Sequence, residues 1–285
     1  MLLPSPGNAM IVTRIRHAIR KGSDTDMAVY WGEKRYHSLD YHLRKTYGEK
    51  LYRLSLNGGM TCPNRDGTLD TRGGIFCDGS GAFAETGDIP AQLAAARRRV
   101  AAKAGRDPRV IAYFQSFTNT YGPVEHLRQL YWEAIEPEDV VVLSVATRPD
   151  CLPPPVLELL AACAAEKEVW VELGLQTIHE ESARFIRRGY PYPVFLDAFR
   201  RLKEAGLTVI VHVILGIPGE TRDMMLETVQ AVGDLPADGI KLQLLHVLEG
   251  TDLGRLYRSR PFPVMELEEY LDLVVDAISL LLSLI

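Results

Sequence analysis

Leu51-Tyr52-Arg53-Leu54-Ser55-Leu56-Asn57-Gly58-Gly59-Met60-Thr61-Cys62-Pro63-Asn64-Arg65-Asp66-Gly67-Thr68 passes from a strand-like run into a glycine-rich loop, and Arg72-Gly73-Gly74-Ile75-Phe76-Cys77 closes that loop. Two thiols on a loop just after a strand, in a chain with no sign of export, point to metal ligation rather than a disulfide.

Outward from this loop, similar β-rich apolar runs recur at residues 110–114, 140–146, 169–175, 207–215 and 240–245. Helical patterns separate them, at residues 91–104, 124–135, 154–165, 180–187 with 192–204, and 221–232, and a last one covers 266–284. Gly105, Gly206 and Gly239 fall at or near element ends. Strands alternating with helices at this spacing predict a parallel sheet with helices outside, either a partial barrel or a doubly wound sheet. Both architectures bind ligands beyond the C-terminal ends of their strands. Those positions hold Asn57, Gln115–Asn119, Thr147-Arg148-Pro149-Asp150, Gln176, Gly216–Glu220 and His246–Thr251, a mostly polar or glycine rim. Residues 1–34 show little pattern and read as an N-terminal extension to a single domain over 35–285.

With 285 residues, 47% hydrophobic and 24% charged, the chain has the composition of an ordinary globular protein and ample length for a core. A net charge of -5 restricts any nucleic-acid contact to local patches. Three basic clusters exist: Arg97-Arg98-Arg99 with Lys103, Arg106 and Arg109; Arg184, Arg187, Arg188, Arg200, Arg201 and Lys203; and Arg14, Arg16, Arg20 and Lys21. Each also reads as a solvated helix face. No secretory signal is visible, and the apolar tail over 277–285 falls short of the roughly 20 residues that span a bilayer. A cytoplasmic protein with four reduced cysteines and no membrane partner is expected.

A cysteine at position 74 would complete a C-x11-C-x2-C pattern, and Gly74 stands there. At this point the chain resembles the radical S-adenosylmethionine (SAM) proteins, in their YhcC/YtqA-like branch, whose core is similar to that of the elongator catalytic subunit. The resemblance spans about residues 35–280. It rests on Arg35-Tyr36-His37-Ser38-Leu39, the Thr61–Thr68 stretch, Phe76-Cys77 with Gly79-Ser80-Gly81, Tyr113-Phe114-Gln115-Ser116 with Thr118-Asn119-Thr120-Tyr121, Ala146–Asp150, Glu172-Leu173-Gly174-Leu175-Gln176, and Gly216–Thr221.

The resemblance implies an α/β fold, a partial (β/α)6 barrel of parallel strands. It also implies a 4Fe-4S cluster on a three-cysteine loop, which chelates SAM and cleaves it by one electron to a 5′-deoxyadenosyl radical. Cys62 and Cys77 would be cluster ligands. Gln115, Ser116, Thr118 and Asn119 would anchor the SAM amino group; Glu172 and Gln176 would meet its ribose or methionine part. Gly216 to Gly219 would pack near the adenine. Thr147, Arg148, His212 and His246 would line the substrate side. An electron donor such as flavodoxin or ferredoxin is implied, and the elongator likeness suggests wobble-uridine chemistry on tRNA.

Plainer roles stand beside these. Glu172 also reads as a buried salt-bridge partner, Arg148 as a brace ahead of Pro149, and His212 as a hydrogen-bonded core histidine. His246 and Thr251 also read as caps of the sixth strand's exit. Cys163 reads as a small buried residue, and Cys151 as a substitute ligand at most. Three departures from the family matter. Gly74 offers no donor, so a labile or absent cluster is expected, and a SAM- or RNA-binding protein without turnover is the alternative function. Arg187-Arg188-Gly189-Tyr190 stands where the family has Asn-Arg-Gly-His, so only Arg188 and Gly189 carry over. Relatives continue past the last helix, whose apolar end is expected to lack cover.

Overall fold

The computed structural model describes residues 9–12, 30–79, 87–104 and 107–283. Ser80, Gly81, Gly105, Arg106 and the basic cluster at Arg14, Arg16, Arg20 and Lys21 lie outside the described residues.

In chain order the elements are β1 (Ala9–Val12), α1 (Leu39–Tyr47), β2 (Tyr52–Leu56), α2 (Ile89–Ala104), β3 (Val110–Phe114), α3 (Val124–Ile135), β4 (Val140–Thr147), α4 (Pro154–Ala164), β5 (Glu168–Gln176), α5 (Glu180–Phe185), α6 (Tyr192–Glu204), β6 (Thr208–Leu215), α7 (Arg222–Gly233), β7 (Gly239–Leu244), α8 (Asp252–Ser259) and α9 (Leu267–Ser283). The sheet order is β1-β7-β6-β5-β4-β3-β2, and every pair from β2 to β7 is parallel. A doubly wound sheet reverses its strand order at a switch point. Here the order never reverses, so right-handed crossovers put all the helices on one side and the sheet curls into a half-barrel. Strands β2 and β7 are the first and last of the parallel set; β7 is covered by β1, so the edges of the sheet are β2 and β1.

Three elements escaped the sequence reading. Strand β1, within the N-terminal extension, pairs antiparallel with β7, Ala9 opposite Leu242 and Val12 opposite Gly239. Four apolar residues carry too little periodicity to announce a strand. Helix α1 is capped by Ser38, whose hydroxyl accepts from the Tyr41 N–H, and ends at left-handed Gly48. Helix α8 starts at Thr251, whose hydroxyl accepts from the Gly254 N–H; Thr251 is therefore a helix cap rather than a strand's exit.

Side chains alternate between the two faces of each strand. The outward set, including Leu54, Leu56, Phe114, Leu143, Val145, Val171, Leu173, Val211, Val213 and Leu242, forms one core with Leu93, Leu127, Tyr131, Leu160, Phe195 and Leu273 of the helices. Each such large side chain contributes about 1.5–3 kcal/mol on burial. The inward set is layered. Lowest are Leu51, Ile111, Val142, Trp170 and Ile210, stoppered by Leu43 of α1. One step up, every strand presents a polar group: Arg53, Tyr113, Ser144, Glu172, His212 and Lys241. The next step holds Ser55, Gln115, Ala146, Gly174, Ile214 and Gln243. Ser55, Gln115, Ala146 and Gln243 keep some solvent contact although their outward neighbours are buried, so the upper lumen is open. On α9, Leu267, Leu271 and Val275 are exposed, at four-residue spacing.

Candidate functional site

The cysteine loop leaves β2 and folds across the C-terminal mouth of the half-barrel. Its turns are closed by its own backbone: Arg65 N–H to Cys62 O at 2.7 Å, Leu69 N–H to Pro63 O at 2.8 Å, Gly73 N–H to Asn64 O at 2.6 Å, and Cys77 N–H to Gly74 O at 3.0 Å. Outside contacts then clamp it. The Ile75 N–H donates to Ile186 O at 3.2 Å, Ile75 O accepts from the Leu253 N–H at 2.8 Å, and the Thr118 N–H donates to Thr61 O at 3.2 Å. Buried Asn64 donates its amide to Arg187 O at 2.6 Å.

Arg65 pins the loop from within. Its Nη2 donates to Cys77 O at 2.7 Å, and its guanidinium lies 5.9 Å from the Phe117 ring centre. A Cβ on Gly73 (φ 79°) would stand 2.8 Å from that guanidinium, so a side chain there would be strained and would displace Arg65. At Gly58 a Cβ would meet Met60 Cε at 2.9 Å. At both glycines the space of a side chain is taken by a neighbouring one.

Cys62 and Cys77 are half-buried free thiols. A Cβ at Gly74 would lie 3.8 Å from Cys77 Cβ, 3.9 Å from the Phe76 ring and 3.6 Å from Ile186 O, all ordinary contacts. The backbone therefore fits a third cysteine. The donor set does not fit a three-thiolate cluster: two thiolates are present, and among the described residues no three His, Cys, Asp or Glu side chains are grouped to hold a metal. Cys151 is buried, with Sγ turned to Asp150 at 3.8 Å, and burial followed by the Asp150 charge pushes its thiol up to about 12.

Arg148 faces Cys62 Sγ at 3.9 Å. Asp150 grips it at 2.9 and 2.7 Å, and it stacks 5.0 Å from the Tyr190 ring centre. Tyr190 in turn stacks on Arg188 at 5.0 Å and donates to Gly174 O at 2.9 Å. Arg188 is buried, its guanidinium donating to the carbonyls of Leu175, Thr177 and Tyr190 and to Glu180. It latches the end of β5 to the loop before α6. Thr147 is turned away from the lumen, bonded to Thr120 Oγ1 at 2.5 Å. His246 is exposed on the rim.

At the top of β3, Gln115 faces the lumen and accepts from Ser55 Oγ at 3.4 Å. Ser116 is buried, and its hydroxyl has no protein partner. Thr118 is buried, and Asn119 bridges β3 and β4 through Phe114 O at 3.0 Å and Ala146 O at 2.9 Å. Gln176, at the top of β5, has φ 70°, and its buried Oε1 has no partner. Gly216 (φ 86°) sits against Leu244, and Gly219 (φ 94°) borders open space. Among the described residues the non-glycine positive φ values belong to Phe117, Gln176 and Arg187, all on this rim. Strain concentrated this way is a mark of a functional site.

Below the rim lies a charged layer that the sequence reading saw only in part. The Glu172 carboxylate meets Lys241 Nζ at 3.1 Å, Arg53 at 3.3 Å, His212 Nε2 at 2.6 Å, Ser144 Oγ at 2.9 Å and Tyr113 Oη at 3.1 Å. Burial alone would raise its pKa, but Arg53, Lys241 and His212 together hold it well below the carboxylate range. His212 is pushed down to about 4, by burial and then by the Lys241 charge, so it is neutral at pH 7. Burial lowers Lys241. Glu172 and His212 had been expected at the site; Arg53, Lys241, Tyr113 and Ser144 had not been given roles. The signal was present, since a lone charge inside an otherwise apolar strand faces a lumen.

Among the described residues of the basic clusters, several are paired locally. Arg97 pairs with Asp139, Arg109 with Glu49, Arg200 with Asp197 and Glu204, Arg201 with Asp197, Lys203 with Asp238, and Arg187 with Asp252. Among the described residues no helix is long and apolar enough to cross a membrane.

Sequence profiles of the Radical SAM superfamily and of the Radical SAM C-terminal domain match residues 75–232 and 237–284. Bacillus subtilis YtqA is 44% identical over 253 residues, 87% of this chain and 78% of that protein. A tRNA uridine(34) acetyltransferase of Methanocaldococcus jannaschii is 30% identical over 145 residues, 50% of this chain and 26% of its own length. The solved structure of an N-terminally truncated Methanocaldococcus infernus Elp3 superposes with a TM-score of 0.60 at 20% identity, over 80% of this chain and 53% of that one, and so shares its fold. The half-barrel, the cysteine loop across its mouth and these similarities make this chain a member of the radical SAM superfamily, in the branch that holds YtqA and YhcC.

Proposed function

We propose that this chain binds SAM across the mouth of its half-barrel and, once its loop carries three thiolates, cleaves SAM to a 5′-deoxyadenosyl radical that acts on a tRNA uridine. The observation that carries this reading is the meeting of Cys62 and Cys77 with two buried, partnerless acceptors, Ser116 Oγ and Gln176 Oε1, on one rim. A buried acceptor without a partner costs about 1–3 kcal/mol, which a ligand's ammonium or hydroxyl group would recover. In this reading Ser116 and Gln176 receive the donors of SAM, and Gly216 and Gly219 leave room beside its adenine. Arg148 and His246 face substrate. Glu172 and His212 set the charge of the lumen floor, while Asn119, Thr118, Thr147 and Arg188 hold the rim in shape. A flavodoxin or ferredoxin would supply the electron.

The tRNA part rests on the similarity to a tRNA uridine(34) acetyltransferase. Arg97, Arg109, Arg200 and Lys203 are held by carboxylates, so in this reading RNA engages the mouth locally. A second reading is favoured by Gly74 itself: the chain binds SAM or RNA and does not turn over.

The test is SAM binding by equilibrium dialysis, with 5′-deoxyadenosine release after anaerobic reconstitution, in this chain and in Gly74→Cys. Binding in both with release in the variant supports the enzyme scaffold with an incomplete centre. Binding without release in either supports the second reading. No SAM binding in either sinks the first reading and leaves only RNA binding of the second.

A further inference from the structure

We propose that the outer face of α8, with Arg255, Tyr257, Arg258 and Arg260, is the docking surface for a single-stranded RNA segment at the mouth of the half-barrel. The proposal rests on the reading that this chain acts on RNA, and it names where the RNA is held.

The helix is placed by its inner face. It leaves the C-terminal end of β7 by a short loop, and its Leu253 N–H donates to Ile75 O at 2.8 Å, two residues before Cys77. Leu253 and Gly254 are buried, and Leu256 packs on the apolar cluster that contains Ile75 and Ile186. One side of α8 is thus bolted to the cysteine loop. The other side, with Arg255, Tyr257, Arg258, Ser259 and Arg260, is exposed. A strand lying along it runs beside the rim of the lumen.

Arginine outnumbers carboxylate here. Asp252 is shared by Arg187 and Arg255. Arg258 pairs with Glu249 at 3.0 Å, but the two side chains are 60% and 89% exposed, and so open a pair is weak enough to exchange for a phosphate. Arg260 is exposed and makes no ion pair among the described residues. The outer helices carry the reverse balance: Arg200 on α6 lies between Asp197 and Glu204, two carboxylates to one guanidinium. A phosphate bound on α8 gains charge-assisted bonds from guanidinium groups without stranding a buried charge.

Tyr257 stands among these arginines. It is 36% exposed, and its ring is set edge-on to Phe262 with centroids 5.1 Å apart. Phe262 packs against the same cluster as Leu256, so the tyrosine is braced from the protein side and open to solvent on the other. A braced ring interleaved with arginines suits an unpaired base stacked between phosphate contacts. Bases of a duplex are already stacked on each other and do not reach such a ring.

The experiment is fluorescence anisotropy with a labelled RNA stem-loop and, for comparison, a loop-free RNA duplex, over a salt series. SAM binding is measured on the same samples by dialysis, and folding by circular dichroism and urea midpoints. The parent is expected to bind the stem-loop more tightly than the duplex. Arg255→Gln with Arg258→Gln and Arg260→Gln should weaken stem-loop binding at least about tenfold and lower the salt slope by roughly two, at about 0.7 per phosphate contact on a single strand. Tyr257→Leu should weaken it at least about fivefold with the slope unchanged. Arg98→Gln with Arg128→Gln and Arg200→Gln, which removes equal charge from the outer helices, should change it less than about twofold. SAM binding should be unchanged throughout. Stem-loop binding by the parent that either α8 variant leaves intact, an equal loss in the outer-helix variant, or equal binding of the duplex would overturn the proposal and leave the RNA reading standing. No RNA binding by the parent overturns the proposal and the RNA part of that reading together, while retained SAM binding keeps its SAM part.

Discussion

Glu172→Gln is the sharpest probe of the lumen. The carboxylate is shared by Lys241 at 3.1 Å and Arg53 at 3.3 Å, and it accepts from Ser144, Tyr113 and His212 as well. At an effective dielectric of about 20, one such ion pair is worth about 4 kcal/mol of attraction, so the two together approach about 8. Glutamine keeps one acceptor oxygen and adds an N–H₂ that faces the two cations. Lys241 stays buried and Arg53 three-quarters buried while their counter-charge is gone, and breaking a buried pair costs about 3–5 kcal/mol. With two cations on one carboxylate we expect about 5 kcal/mol, a fall in Tm of roughly 10–20 °C for a chain of this size. Urea unfolding at pH 7 is the assay. The folded-state pKa of Glu172 lies below its ordinary 4.5, so its contribution is fully present above that pH and is lost as pH falls through the folded value. Lys241→Met leaves Glu172 with Arg53 and should lose less than about half as much. A loss below about 1 kcal/mol for Glu172→Gln would mean that water screens the layer, and the account of a sealed charged floor would be wrong.

His212 supplies a pH signature of the same sign in a higher window. Its folded pKa of about 4 lies below the ordinary 6.5, so the unfolded chain takes up the proton first. Stability is then full above pH 6.5 and falls by about 3 kcal/mol between there and about pH 4. His212→Asn should flatten urea midpoints across that window, and an unchanged slope refutes the assignment. Gly74→Ala should change stability by less than about 1 kcal/mol, whereas Gly73→Ala, at φ 79° and 2.8 Å from Arg65, should cost about 2 kcal/mol or more. Equal costs at the two positions would undo the distinction between a filled and an open glycine. Arg65→Ala removes a charge-assisted bond to the Cys77 carbonyl worth about 1.5–3 kcal/mol. Amide exchange over residues 62–79 should speed up by at least about tenfold; exchange unchanged from the parent would show that the loop does not depend on this side chain.

The six parallel strands were legible because both faces of each strand left a mark: an apolar outward set for the helices and, at each end, a polar or glycine rim. The choice between half-barrel and doubly wound sheet was not legible, since it depends on strand order, which no local pattern encodes. Strand β1 and helix α8 were missed for a related reason, as four apolar residues and eight amphipathic ones gain their structure from β7 and Thr251. At the site, Cys62, Cys77 and Gly74 could be read from spacing. The layer around Glu172 could be read only in part, because Arg53 and Lys241 meet it from β2 and β7, the first and last of the parallel strands. The packing role of Arg65 against Gly73 and Gly79 was invisible, because a glycine's reason is a neighbour that may stand anywhere in the chain.

The contacts that shape the cysteine loop also explain why a missing thiolate does not undo it. Every tie described for the loop runs between protein groups: backbone turns within residues 62–77, the Arg65 pin, the Asn64 amide to Arg187 O, and the strand-like grip on Ile75. None of them passes through the side chain at position 74. A loop held by metal would lose its shape with its ligands, as small zinc domains do. The ties of this loop that hold Cys62 and Cys77 run through other residues than the side chain at position 74. Loss of the third thiolate therefore separates chemistry from fold: the scaffold, the partnerless Ser116 and Gln176 acceptors and the charged floor all remain, and what changes is the number of sulfur atoms offered to iron. Gly73, one residue away, has no such freedom, because its missing side chain is where Arg65 lies.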